Sequence, residues 1–167
     1  MHRLQGKAEH VTDTLALLLE FYRDKLAACL QHVAAARVVS QYDANNTYQY
    51  VINREETQLG WVTAAITDLG GPSPVDSGVP DRRAVNGATV FAEDVAAAQA
   101  FVEHWRGRVD ALGDTRRRRM LQVILGETLE HKRFFEQALA GRTDLLGIRS
   151  APVGERVGQV LPTRWLE

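Results

Sequence analysis

The chain has 167 residues, enough for one domain with a proper core and too few for two, and its 20 Lys and Arg nearly balance 21 Asp and Glu. That balance calls for neither a nucleic acid nor an anionic membrane as partner, and the single cysteine, Cys29, excludes an intrachain disulfide framework or a thiolate zinc cluster. No apolar run reaches the length of a membrane span, and MHRLQGKAEH lacks the apolar centre of a signal peptide, so the expectation is a cytoplasmic protein.

Four segments carry apolar residues at three- and four-residue steps and almost nothing alternates as a strand does, which predicts an all-α chain. The first helix is expected from an N-cap at Thr12 or Asp13 to about Val38, with Val11, Leu15, Leu18, Tyr22, Leu26, Cys29, Val33 and Ala36 inward. Glu20, Asp24 and Gln31 then face water. The second runs from near Asp43 to the stop signal Gly70-Gly71-Pro72, and its inner stripe from Ala44 to Leu69 holds a carboxylate, Glu55, at its centre.

A third helix follows Thr89 as N-cap to about Leu112 and buries Phe91, Val95, Ala98, Val102, Trp105 and Val109. The fourth follows Gly113 and Asp114, and its stripe of Met120, Ile124, Glu127, Thr128, His131, Phe135 and Ala138 brings more polar side chains to core positions. The first and last connections are short, whereas GGPSPVDSGVPDRRAVNGA between the second and third helices is too long for a hairpin turn. Short, long, short is the pattern of two antiparallel hairpins joined by a crossover, the ferritin-like four-helix bundle. Residues 1–142 are expected to form the bundle. Residues 143–167, which end in Leu161, Trp165 and Leu166, form an irregular tail packed on the bundle or on a partner subunit.

A buried carboxylate costs several kcal/mol unless it is paired, protonated or bound to a cation, so Glu55 requires a partner. Counting equal rise along antiparallel helices sets Glu55 level with about Leu26, His131 with about Ala98 and Glu127 with about Phe101. Glu55, Glu127 and His131 can then converge at mid-bundle, where carboxylates and imidazoles from facing helices hold iron or manganese. Asp94 is a further candidate ligand, and Tyr22, Gln58 and Thr128 stand around the group.

NREETQLGW and LGETLEHKRFFEQAL resemble the second and fourth helices of the ferritin-like superfamily, in the style of the rubrerythrin-type proteins. That resemblance implies a Glu-x-x-His pair on each of these helices and one further glutamate from each of the other two, together a dinuclear carboxylate site. Glu55 matches the first glutamate, with Gln58 at the histidine position; His131 matches the second histidine, with Thr128 three residues before it and Glu127 adjacent. The expectation is therefore a ferritin-like protein with a reduced, mononuclear or vestigial Glu/His site that takes one iron or manganese ion or none, and weak or no oxidase activity. The alternatives are a di-iron oxidoreductase or ferroxidase of rubrerythrin type and a metal-free structural or interaction bundle. If Glu55 is only a hydrogen-bonded relic, Glu55→Leu is tolerated or stabilising.

Every residue of this group also has a structural reading: Tyr22 as core packing, Cys29 as a small buried hydrophobe, Asp94 as support for a helix start. His2, His10, His32 and His104 fall outside the predicted stripes, which argues against a bundle built on a histidine triad. Arg116 to Arg119 begin the fourth helix, where cations oppose the dipole, so nearby acids are expected to pair with them. The first helix is apolar nearly all round, with Leu17, Leu19, Phe21, Leu30 and Ala35 beyond the inner stripe, and Trp61 and Tyr50 extend that surface. A homodimer through this surface or the tail is the expected assembly.

Overall fold

The computed structural model describes residues 2–74 and 86–146, so the middle of the crossover and most of the expected tail lie outside the described residues. Among the described residues the chain is all-helical, with four long helices: α1 (His2–Val38), α2 (Tyr42–Asp68), α3 (Val90–Asp110) and α4 (Thr115–Leu139). None of them is long and apolar enough to cross a membrane. Helix α1 begins about ten residues before the expected N-cap, because nothing between His2 and Thr12 breaks a helix: the segment has no proline and its one glycine is followed by good helix formers.

The ends of the helices follow from local chemistry. The side chain of Asp114 accepts from the Arg117 backbone N–H at 3.0 Å and caps α4, and the same carboxylate pairs with the Arg117 guanidinium. Arg118 donates to the Leu112 carbonyl at 3.0 Å, so two of the four arginines at this helix start are held by the turn before it. At the end of α2, Gly70 takes the left-handed conformation at φ 73°, while Gly70 and Gly71 donate back to the Thr67 and Ile66 carbonyls. Gly71 also lies so close to Leu15 and Ile66 that a Cβ there would collide with both.

Side-chain pairs fix the helix directions. Lys25 of α1 meets Glu55 of α2 and the Ala36 carbonyl accepts from Asn45, Glu20 of α1 meets Arg108 of α3 while His32 approaches Asp94, and Arg54 and Tyr50 of α2 meet Glu127 and Phe134 of α4. Each of these pairs of helices is antiparallel, so α2 and α3 run the same way. The main packing is α1 on α2 and α3 on α4, with narrower seams between α1 and α3 and between α2 and α4.

Two apolar clusters fill the bundle. One gathers Leu18, Phe21, Val62, Ile66, Val102, Trp105 and Ile124; the other gathers Cys29, Ala35, Tyr48, Val51, Ile52, Val90 and Phe135. Phe21 meets Trp105 edge-on at 4.9 Å between ring centroids, a geometry that adds to area burial. Between the clusters, where Lys25 follows Phe21 and Glu55 follows Ile52, lies a layer of buried polar side chains.

The inner stripe of α2 follows the apolar pattern. On α3 Val90 and Asp94 are buried and the expected Phe91 and Val95 only half-buried, and on α4 Leu121 and Leu125 join the core while Met120, Glu127 and Ala138 are half-buried. The stripe of α1 is turned. Its buried face runs Thr14, Leu18, Phe21, Lys25, Cys29, His32 and Ala35, with Leu15, Tyr22, Leu26 and Val33 only half-buried. Phe21 and Ala35, expected outside, are fully buried. Glu20 and Asp24, expected in water, face α3 instead: Arg108 clamps Glu20 at 2.5 and 2.7 Å, and Trp105 Nε1 donates to Asp24 at 3.1 Å.

Candidate functional site

All four helices contribute to the polar layer. Leu18, Lys25 and His32 are seven residues apart and therefore share one face of α1, which carries an ammonium and an imidazole inward beside the apolar residues. Lys25 Nζ donates to Glu55 Oε1 at 2.8 Å and to the Thr128 hydroxyl at 3.4 Å, and His32 Nδ1 lies 2.8 Å from Glu55 Oε2. Lys25 and Glu55 are each only 1 % exposed. An ionised carboxylate can only accept, so the Nδ1 proton belongs to His32.

The layer continues from His32 toward α3. His32 Nε2 stands 3.9 Å from Asp94 Oδ1, and the other oxygen of Asp94 accepts from the Tyr48 hydroxyl in a short hydrogen bond. The result is a buried series, Thr128, Lys25, Glu55, His32, Asp94 and Tyr48, in which charges of opposite sign alternate. Burial alone would raise the Glu55 carboxyl, but the His32 and Lys25 charges beside it more than reverse that and hold it at about 2. Burial works against a charged His32 ring as well, and Glu55 followed by Asp94 outweighs it, so His32 titrates above its ordinary range. Asp94 is shifted upward by burial despite His32 and Tyr48.

The expected ligands are thus distributed over two groups. Glu55 and Asp94 belong to the buried series. Glu127, half-buried, turns to the α2–α4 seam, where Arg54 donates to it at 2.6 Å and Gln58 gives a short second bond. These two bonds hold Glu127 below the usual carboxylate range although burial pushes the other way. His131 is 2 % exposed and lies edge-on to Tyr50, and among the described residues neither its Nδ1 nor the buried Gln58 Oε1 has a hydrogen-bond partner. Burial lowers the His131 ring to about 4, which keeps it neutral near pH 7. Thr128 donates to the Ile124 carbonyl of its own helix, and Tyr22 packs against both apolar clusters.

Two residues that the apolar pattern set outside the core, Lys25 and His32, are therefore the ones that answer for Glu55. His32 is buried because Glu55 compensates its charge, and the exposed His104 is not part of the layer. Equal-rise counting had come within one residue, since Leu26 adjoins Lys25. The available signal was the seven-residue repeat Leu18, Lys25, His32 taken together with that level. Cys29 is buried, and burial followed by the Glu55 charge pushes its thiol up to about 12, which leaves it without thiolate chemistry.

The residues do not suit a resident metal ion as they stand. The side of Glu55 that would face a cation already faces the Lys25 ammonium, its other oxygen is taken by His32, and Glu127 is engaged by Arg54 and Gln58. Among the described residues no group of three or more His, Cys, Asp or Glu side chains is arranged to hold a metal.

A cavity of about 680 Å³ opens along the α1–α3 seam. Alanines on both helices, among them Ala28, Ala97 and Ala100, leave the space between the two backbones unfilled, and Phe101 and Trp105 also line it. Lys25, His32, Asp94 and His131 line its inner end. Its size is that of a small-molecule site, largely apolar with a few convergent polar groups. Comparison with protein-family models, with curated proteins and with solved structures finds no match to this chain.

Proposed function

We propose that the chain is a ferritin-like bundle whose centre is closed by the Lys25 ammonium in place of a resident metal, and that it serves as a small-molecule-binding module through the α1–α3 cleft. The observation that carries this reading is the pair of bonds from Lys25 Nζ to Glu55 and Thr128 at mid-bundle. Antiparallel α1–α2, α1–α3 and α2–α4 pairs with α2 and α3 parallel are what a ferritin-like connection requires, and this supports the first half of the reading. Glu55, Gln58, Thr128 and His131 occupy the positions of the two Glu-x-x-His pairs of that superfamily, and Lys25 lies among them. An ammonium supplies positive charge to the same carboxylate, but it has no open coordination position. What it leaves at the centre is charge balance and hydrogen bonding, and the room for a ligand lies beside it in the cleft.

Anaerobic calorimetric titration with ferrous and manganous ions, followed by desalting and elemental analysis, tests the metal half of the proposal. The expected result is no saturable heat and no retained metal. One equivalent retained by the parent chain and lost in His131→Ala would overturn it in favour of a mononuclear site, and two equivalents would restore a dinuclear oxidase reading.

A further inference from the structure

The inner end of the cleft is electrically balanced and yet incompletely bonded. Lys25 is offset by Glu55, and His32 by Asp94, so the charged groups at this end of the cleft balance. His32 Nε2 and Asp94 Oδ1, 3.9 Å apart, are too distant for a direct hydrogen bond and close enough for one oxygen atom to reach both. Such an oxygen accepts from the ring N–H and donates to the carboxylate, which is the behaviour of a hydroxyl group. His131 lines the same cavity with a buried Nδ1 that has no partner among the described residues and that a ligand polar atom would satisfy. At the mouth stand Asp24 and Glu93, which repel an anion.

We infer that the cleft binds an uncharged small molecule with a ring-sized apolar body and a hydroxyl head, the head bridging His32 Nε2 and Asp94 Oδ1 and the body lying between the alanines of α1 and α3. This rests on the cleft being a binding site, as proposed above, and adds the class of ligand. The apolar body replaces water against Ala28, Ala97 and Phe101, and the head is selected because a group without it leaves the two polar atoms unbridged.

The test is calorimetric titration of the full chain near pH 7 with 1-naphthol, naphthalene, 1-naphthoate and 1-naphthylmethylammonium. The expected result is that 1-naphthol binds at least about tenfold more tightly than the other three, a difference of about 1.4 kcal/mol, and that Ala28→Leu removes the binding. Ala100→Leu, at an exposed position of the lining, is measured beside it so that a folding defect in the first variant leaves the location tested. Tighter binding of the anion, the cation or naphthalene, lost in both variants, would overturn the ligand class and leave the cleft as a site. No binding of any probe, or binding that neither variant changes, would overturn the site with it.

Discussion

Glu55→Leu is expected to destabilise the bundle by about 3–5 kcal/mol, because it removes the carboxylate that Lys25 and His32 share and leaves the buried ammonium without a counter-charge. The substitution removes a single carboxylate, but that carboxylate accepts from Lys25 with one oxygen and from His32 with the other. The ammonium then keeps the Thr128 hydroxyl at 3.4 Å and the Phe101 ring at 5.4 Å from its centroid, neither of which balances a charge that is 1 % exposed. For a hydrogen-bonded relic the sequence led to the opposite expectation, that Glu55→Leu is tolerated or stabilising. The triple variant Lys25→Met, His32→Leu, Glu55→Leu removes the whole set of charges, and it should return to within about 2 kcal/mol of the parent or exceed it, as apolar replacements of buried ion clusters do. Urea unfolding followed by circular dichroism measures both. A single variant as stable as the parent would mean that Glu55 is not the shared partner of Lys25 and His32.

The second large effect is a dependence of stability on pH that one residue controls. In the folded chain His131 titrates at about 4, against 6.5 for an unburied ring. Between these values the unfolded chain binds a proton that the folded chain refuses, so stability falls as the pH drops from about 6.5 to about 4. The full loss is on the order of 3 kcal/mol. Other groups act in neighbouring windows with signs of their own. Glu55, depressed to about 2, contributes stability above its ordinary value of 4.5 that disappears as the pH falls through 2. His32, raised, contributes below its ordinary 6.5 and loses its contribution as the pH rises through its folded value. Asp94, also raised, favours the folded chain at low pH and opposes His131 where their windows overlap. The difference between the parent and His131→Leu isolates the His131 share. Urea midpoints measured from pH 7 to pH 4 should fall more steeply in the parent, and parallel curves would show that His131 is solvated in the folded state.

The helices α2, α3 and α4 were legible because each carries one apolar stripe bounded by turn residues that can be read directly: Thr89 before α3, Asp114 before α4 and Gly70 after α2. Helix α1 was not. It is apolar on most of its circumference, so periodicity did not select a face, and the two residues that mark the true face are charged or titratable. A stripe that omits Lys25 and His32 is rotated, so that it leaves Phe21 outside and turns Glu20 and Asp24 away from α3. The need for a partner at Glu55 was legible from one residue, and so was its level on α1. The identity of the partner was not, because burial of a lysine is favoured only by a carboxylate on another helix, a condition that no local pattern expresses. Glu127 and His131 were correctly drawn to the middle of α4. Their bonds to Arg54 and Gln58 in one case, and the unpaired Nδ1 in the other, depend on the α2–α4 seam.

The most direct measurement is a carbon-13 NMR titration of the Glu55 side-chain carboxyl in the folded chain, from neutral pH down to the onset of acid unfolding. If Lys25 and His32 hold Glu55 as an ionised carboxylate, its carboxyl shift stays constant until the chain unfolds, in accord with a value of about 2. A titration midpoint between about 4 and 5 while the bundle remains folded would describe an ordinary, solvated glutamate, and it would contradict the buried charge series on which the account of this site depends.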